Sequence, residues 1–412
     1  MQLRISGYAK RGILSRYLVI NALRRRPLSR AELARDLGLS PAAITAIADE
    51  LLEHGVIRED GYMRSERGRR PMRLRLREDS GYAVGVDMTA DDALRVALLD
   101  LACTVVSECV VPLRSADPAA VVDAIGAAYR EVLSAGGVPE ASVLGVGITS
   151  PGPMAYQSGV VERAVLFGWR NVPLTDMVRA KLGKLVVSDL DVNLAAMGEY
   201  WYGDGGEPAA DLVYITVGAG IASAFLLDGE VRRGRHTSLG ELGHTVIAAG
   251  GLPCECGSRG CLETVASQRA MLRWVHDRIR AGSRSSLAVL EAITAAAVYE
   301  HASAGDSLAI EAVERVAYYV GLATANLINL LSPSLVVIGG PIWPAMDIFL
   351  PVVQATVAEA ALPELAAYTK IIRSRLGPKA AVVGAAVLVL EEAFRVPVNA
   401  AGPSARLAAV GH

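Results

Sequence analysis

The hydrophobic pattern of this chain changes at Gly81, from helical stripes to apolar strand-like runs, and that change predicts folding units of different kinds on its two sides. Upstream, Ile13, Tyr17, Ile20 and Leu23 recur at helical spacing and predict a helix over 10–25. Pro27 stops it. Ser29 with Glu32 makes a capping box that starts a second helix, carrying Leu33 and Leu37 inward. Gly38 turns the chain, Ser40 caps a third helix, and Pro41 takes its first position. Ala43, Ile44, Ile47, Leu51 and Leu52 follow, and Gly55 closes that helix. Val56-Ile57 and Met72–Leu76 read as the strands of a hairpin around a basic tip. This order predicts a winged helix-turn-helix domain over residues 1–79.

Downstream, the apolar residues come in runs rather than stripes: YAVGVDM, ALRVALLDL and CTVVSECVVPL. A helix is expected near 117–135, then the buried strand VLGVGIT at 143–149. A similar set begins again at LVYITVGAG (212–220) and IASAFLLDGEV (221–231). A long helix over 306–331 and a buried strand LVVIGGP (335–341) complete it. Two such halves predict a two-lobed α/β domain over 80–397, with its cleft near 190–265 and a loose tail at 398–412.

Charge divides at nearly the same place. Residues 1–77 carry 17 Arg and Lys against 8 Asp and Glu, which leaves 24 against 35 for the rest. A basic segment on an acidic body points to a polyanion-binding module joined to something that does not bind polyanions. Apolar residues at 52% and charged residues at 20% exclude a largely disordered chain. No apolar run is long enough to span a membrane, and the N-terminal stretch lacks the features of a signal peptide. The expectation is a cytoplasmic protein.

Of the five cysteines, Cys103 and Cys109 fall in an apolar run and are expected to be buried strand thiols. The others form the pattern His244-x9-Cys254-x-Cys256-x4-Cys261. In a reducing compartment such a cluster reads as metal ligands rather than disulfides. One imidazole and three thiolates complete a closed tetrahedral zinc site with no open position for water. The metal is therefore expected to order a loop, and the second ring nitrogen of His244 is available to a ligand.

The passage GELGHTVIAAGGLPCECGSRGCLETVAS resembles the signature of the ROK family, which groups sugar-responsive repressors and sugar kinases. The segments ITSPGPM, GWRNVPL, DVNLAAMGE and VVIGGP fall in family order, and AELARDLGLSPAAITAIADELLEHGVIRE followed by GRRP resembles the DNA-binding half of the repressor members. The resemblance implies an actin/hexokinase-like (ribonuclease H-like) body assembled as a homodimer or homotetramer. It also implies a ligand site at Asp191, Glu241, His244 and Glu263, Asp191 matching the catalytic aspartate of the kinases. The chain departs from the family at Leu190 and Val165, where asparagines are usual. Both phosphate turns depart as well: Asp87-Met88-Thr89-Ala90-Asp91-Asp92 lacks the glycines of a DxGGT-type turn, and Gly218-Ala219-Gly220-Ile221-Ala222-Ser223-Ala224 has lost most of a GTGIGGG-type one. Phosphoryl transfer rests on such positioning, so no enzyme activity is expected.

The third helix then serves as a recognition helix for an operator in double-stranded DNA. Ser40, Ala42, Ala43 and Thr45 face the major groove, Arg67, Arg69 and Arg70 act as a minor-groove hook, and Arg30 with Arg24, Arg25 and Arg26 contacts phosphates. The leading expectation is a repressor of carbohydrate-related genes that binds a sugar or sugar phosphate. A sugar kinase with a DNA-binding extension and a regulator without an effector are the alternatives.

Overall fold

The computed structural model describes residues 15–62, 71–89, 93–165, 167–203, 211–227, 229–234 and 239–395. These divide into two compact units, one drawn from Met1–Ala209, Asp228–Thr237 and Lys379–His412, the other from Ala210–Leu227 and Ser238–Pro378.

The first unit opens with helices α1 (Ser15–Arg25), α2 (Arg30–Leu37) and α3 (Pro41–Glu53). The capping box forms as expected: Ser29 Oγ accepts from the Glu32 N–H, and Glu32 Oε2 accepts from the Ser29 N–H at 2.8 Å. Gly38 ends α2 at φ 65°, a left-handed value that glycine adopts without strain. Strands β1 (Leu28–Ser29), β2 (Ile57–Tyr62) and β3 (Met72–Leu76) form a small sheet in the order β1-β3-β2, antiparallel throughout. Tyr17, Ile20, Leu33, Ile44, Leu51 and Leu74 are buried. Ile13 and the basic tip lie outside the described residues.

A five-stranded sheet follows, in the order β11-β7-β4-β5-β6. Its strands are β4 (Tyr82–Asp87), β5 (Ala93–Asp100), β6 (Val105–Pro112), β7 (Val143–Ser150) and β11 (Leu185–Leu190). Between β7 and β11, β8 (Met154–Ala155), β9 (Val160–Ala164) and β10 (Trp169–Val172) make a separate meander. Helices α4 (Pro118–Gly136) and α5 (Leu174–Leu182) share a core with the large sheet through Val121, Ile125, Tyr129 and Val178. Helices α6 (Asp191–Tyr202) and α13 (Ala380–Ala393) lie together, and α13 also packs on β4, β7 and β11. Cys109 lies in β6 as expected but is half-buried rather than buried, and Cys103 sits in the turn before that strand, at φ 54°. Its thiol is nonetheless buried, which pushes it up to about 12.

Glycines set how closely α13 approaches. A Cβ at Gly85 would lie 2.1 Å from the Val382 carbonyl oxygen, one at Gly147 2.0 Å from that of Ala385, and one at Gly384 1.6 Å from that of Leu194. No side chain fits at those separations, so helix meets strand, and helix meets helix, at the backbone.

The second unit repeats the sheet plan. In the first, β4 pairs antiparallel with β5 and parallel with β7, which pairs parallel with β11. In the second, β12 (Leu212–Val217) pairs antiparallel with β13 (Ile221–Leu227) and parallel with Leu335–Gly339, which pairs parallel with Lys370–Arg373. Helices α7 (Glu263–Ala266), α8 (Gln268–Arg280), α9 (Ala295–Ser303), α10 (Ser307–Leu331), α11 (Met346–Ala360) and α12 (Pro363–Tyr368) complete it. Its core runs through Val313, Val316, Val320 and Ile328 of α10 to Phe349 and Val353 of α11.

Gly384→Ala is expected to destabilise the chain by about 3 kcal/mol, the upper part of the overpacking range, because the added methyl meets a backbone oxygen. Urea unfolding with a lowered midpoint checks this; an unchanged midpoint contradicts the close approach.

Candidate functional site

The cysteine cluster is built by a tight loop in the second unit. The one-turn helix Leu242–His244 leads into it, and isolated antiparallel bridges pair Val246 with Cys261 and Pro253 with Arg259. Gly260, at φ 75°, passes so close to the Ala248 carbonyl that a Cβ would lie 1.9 Å from it. The ligand atoms of His244, Cys254, Cys256 and Cys261 all fall within 4.8 Å of one another. Cys254 Sγ is 3.6 Å from His244 Nδ1, and Cys256 Sγ is 3.6 Å from Cys261 Sγ. Ligand bonds of about 2.0–2.3 Å around a tetrahedral centre require edges of roughly this length. The four residues therefore fit a metal ion, and Nδ1 is the nitrogen turned toward it. Burial pushes the Cys261 thiol up to about 11, whereas the Ser258 backbone amide pulls the exposed Cys256 thiol down. A metal ion takes the place of both protons.

The candidate ligand residues of the second unit converge on the same loop. Glu241 caps the one-turn helix, and the His244 N–H donates to its carbonyl at 3.0 Å. Glu263, two residues beyond Cys261, opens α7. Its Oε1 accepts from the Ile221 N–H at 2.9 Å, and a Cβ at Gly243 would lie 2.7 Å from the same oxygen. Glu263 thus stands between the Glu241–His244 turn and the Gly218–Ile221 turn. That second turn packs on Pro341 at Gly218 and accepts the Gln268 N–H at its Gly218 carbonyl.

Asp191 belongs to the first unit, where it is the first residue of α6. It follows an anchor that sequence reasoning missed. Asp189 is 1% exposed, and its Oδ1 accepts from the Leu190 N–H at 2.7 Å and from Asn193 Nδ2 at 2.9 Å. Its Oδ2 accepts twice from Arg233, at 2.8 and 2.6 Å, and the guanidinium lies 3.8 Å over the Tyr156 ring. The one local signal was a second carboxylate two residues before Asp191; Arg233 and Tyr156 had none. Further along, Trp201 Nε1 donates to Glu391 Oε1 at 3.3 Å. Burial pushes the Glu391 carboxyl up to about 7, against the pull of Arg233 and of the Trp201 donor.

In the first phosphate-type turn, Asp87 is folded back. Its Oδ1 accepts from the Thr89 N–H at 2.9 Å and from Thr149 Oγ1 at 3.2 Å. Ala90, Asp91 and Asp92 lie outside the described residues.

On α3, Pro41, Ala42, Thr45 and Ala46 are exposed and Ala43 is half-buried. Ser40 Oγ accepts from the Ala43 N–H at 3.2 Å, and the Thr45 hydroxyl donates to the Pro41 carbonyl at 2.9 Å. Arg30 pairs with Asp49 at 2.6 Å. Arg67, Arg69 and Arg70 lie outside the described residues. Arg24, expected among the phosphate contacts, instead donates to the Trp201 carbonyl and lies 3.9 Å over the Tyr202 ring. Its place on α1 turns it to the body rather than outward with Arg25 and Arg26.

Residues 83–392 match the ROK family. The chain belongs to the ROK family. The xylose repressor of Caldicellulosiruptor bescii is 30% identical over 378 residues, covering 90% of this chain and 93% of its own length. A glucokinase of Halalkalibacterium halodurans is 34% identical over 317 residues, covering 76% of this chain and 96% of its own. Among solved structures, a ROK family transcriptional regulator described as a homologue of the Escherichia coli MLC protein is 28% identical, with a TM-score of 0.80 over 97% of this chain and 98% of that one. The two-lobed actin/hexokinase-like α/β plan is therefore the ROK plan.

Two outcomes are expected. Cys256→Ser lowers the metal bound per chain, measured by elemental analysis of purified protein; full occupancy in the variant contradicts the ligand set. Glu391→Gln flattens the dependence of stability on pH between 4.5 and about 7. A raised carboxyl binds more protons folded than unfolded in that window, so wild-type stability falls as pH rises through it. Thermal midpoints across the window read the effect, and parallel curves contradict it.

Proposed function

We propose that this chain is a transcriptional repressor of carbohydrate-related genes, released from its operator by a sugar or sugar phosphate. The observation that carries the reading is coverage. The xylose repressor matches nearly the whole chain, whereas the glucokinase is almost used up by a smaller share of it, and the family match begins only at residue 83. The segment before it, with α2, α3 and the β2–β3 pair, is a winged helix-turn-helix. Its small exposed residues Ala42 and Thr45 allow close approach to base edges, and Arg67, Arg69 and Arg70 reach a narrow minor groove. Arg30 positions the domain on phosphate.

The body binds the effector through the carboxylates of Asp191, Glu241 and Glu263, which accept from the hydroxyls of a polyol, and through the second ring nitrogen of His244, which donates to one. Zinc held by His244, Cys254, Cys256 and Cys261 orders the loop carrying three of them. Phosphoryl transfer is not part of the reading, because Asp87 is engaged inside the sheet and the Ile221 amide is already given to Glu263. Homodimers or homotetramers bind a two-fold operator in the cytoplasm. No helix among the described residues is long and apolar enough to cross a membrane. A kinase reading draws support from the glucokinase likeness and from Asp191, and the same experiment addresses it.

A duplex selected from random sequence by the purified chain serves as operator, with D-xylose and D-glucose as effectors. Arg69→Ala with Arg70→Ala is expected to weaken operator binding by about tenfold or more at physiological salt. Glu241→Gln abolishes sugar-induced release while leaving operator affinity intact. An ATP-dependent phosphorylated sugar in the same mixtures overturns the repressor reading in favour of the kinase.

A further inference from the structure

Helix α6 runs between two places that the rest of the chain treats separately. At its start is Asp191, tied through Asn193 and Leu190 to the buried Asp189. At its end are Trp201 and Tyr202, and this is where α1 of the DNA-binding segment is seated. The Tyr17 ring, fully buried, meets Trp201 edge-on at 5.4 Å between centroids. Arg24, on the same face of α1 two turns later, donates to the Trp201 carbonyl and covers the Tyr202 ring.

Every residue from Val192 to Trp201 is buried, so α6 is a rod wrapped by its neighbours rather than a surface helix. Its twelve residues span roughly 18 Å at 1.5 Å per residue. The backbone contact between Leu194 and Gly384, and the hydrogen bond from Trp201 to Glu391, fix it to α13 at two levels. Such a rod does not absorb a displacement by bending; it passes it on. The seat at its far end is incompletely satisfied. Among the described residues, Asn21 Oδ1 and Arg24 Nε are buried there without a hydrogen-bond partner. Buried polar atoms left in that condition cost stability at this seat.

We propose that α6 is the mechanical link of this regulator: movement of its first turn at Asp191 shifts the Trp201–Tyr202 seat of α1, and with it the recognition helix. The proposal rests on the reading that Asp191 faces the effector. Linkage makes it reciprocal, so operator binding must also be felt at the first turn of α6.

The test uses the purified chain and Arg24→Met, which keeps the length of the side chain but removes the donor and the cation over Tyr202. Operator affinity is measured with and without saturating D-xylose or D-glucose, and sugar affinity separately by calorimetry. Arg24→Met is expected to keep each separate affinity within about threefold of wild type and to reduce the sugar-induced change in operator affinity by about fivefold or more. An unchanged sugar response overturns the link. Hydrogen exchange across residues 189–196, with and without the operator duplex, needs no sugar. Operator-dependent protection in the wild type that is lost in Arg24→Met supports the link, and equal exchange with and without duplex overturns it. Failure of both sugars to bind the wild type counts against the proposed effectors, while the exchange experiment still decides the role of α6.

Discussion

The contact on which the first unit depends is that of α13 with the sheet and with α6, made at backbone distance through Gly85, Gly147 and Gly384. Two consequences follow. The strands β4 and β7 are completed by a helix from the far end of the chain, so this unit closes only when that C-terminal helix arrives. Such non-local pairing raises contact order and delays folding. The same closeness makes α6 and α13 one body, since neither has a layer of side chains between them at Leu194 to deform. Packing of that kind switches between arrangements and does not flex continuously.

In the second unit, the cluster that could hold a metal and the carboxylates of Glu241 and Glu263 share one loop. Cys261 and Glu263 are separated by a single residue, and Glu241 and His244 stand in one turn of helix. A cation held by His244, Cys254, Cys256 and Cys261 would remove the freedom of this glycine-rich segment. On the proposed reading, the carboxylates would then be presented from a fixed frame, and a hydroxyl-rich ligand would not have to order the site as it bound. Glu263 has a second attachment, the Ile221 amide, which ties this frame to the Gly218–Ile221 turn.

Features settled by near neighbours were legible in the order of the residues. Ser29 with Glu32, Ser40 with Pro41, and Gly38 at its left-handed angle all form as the spacing implies, because a cap is decided within one turn. The change of pattern at Gly81 falls between the three helices and small sheet of the N-terminal segment and the five-stranded sheet that starts at Tyr82. The cluster of His244, Cys254, Cys256 and Cys261 was legible because such side chains are rare and their spacing short. Cys103 was expected in a strand and lies in a turn, since an apolar run reports burial without reporting where a strand begins.

What the sequence by itself determined, then, are features settled within a few residues, the caps and the spacing of the cysteine cluster, together with the order of strands and helices in each lobe. What only the tertiary structure decided are the pairings across long separations. Asp189 meets Arg233 across 44 residues, Trp201 meets Glu391 across 190, and Arg24 meets Trp201 across 177. An arginine in a run of arginines carries no local mark of its partner, because a charge is satisfied by whatever the fold brings within about 4 Å of it. The fold brought Arg24 to an aromatic seat, where its neighbours in sequence remain at the surface.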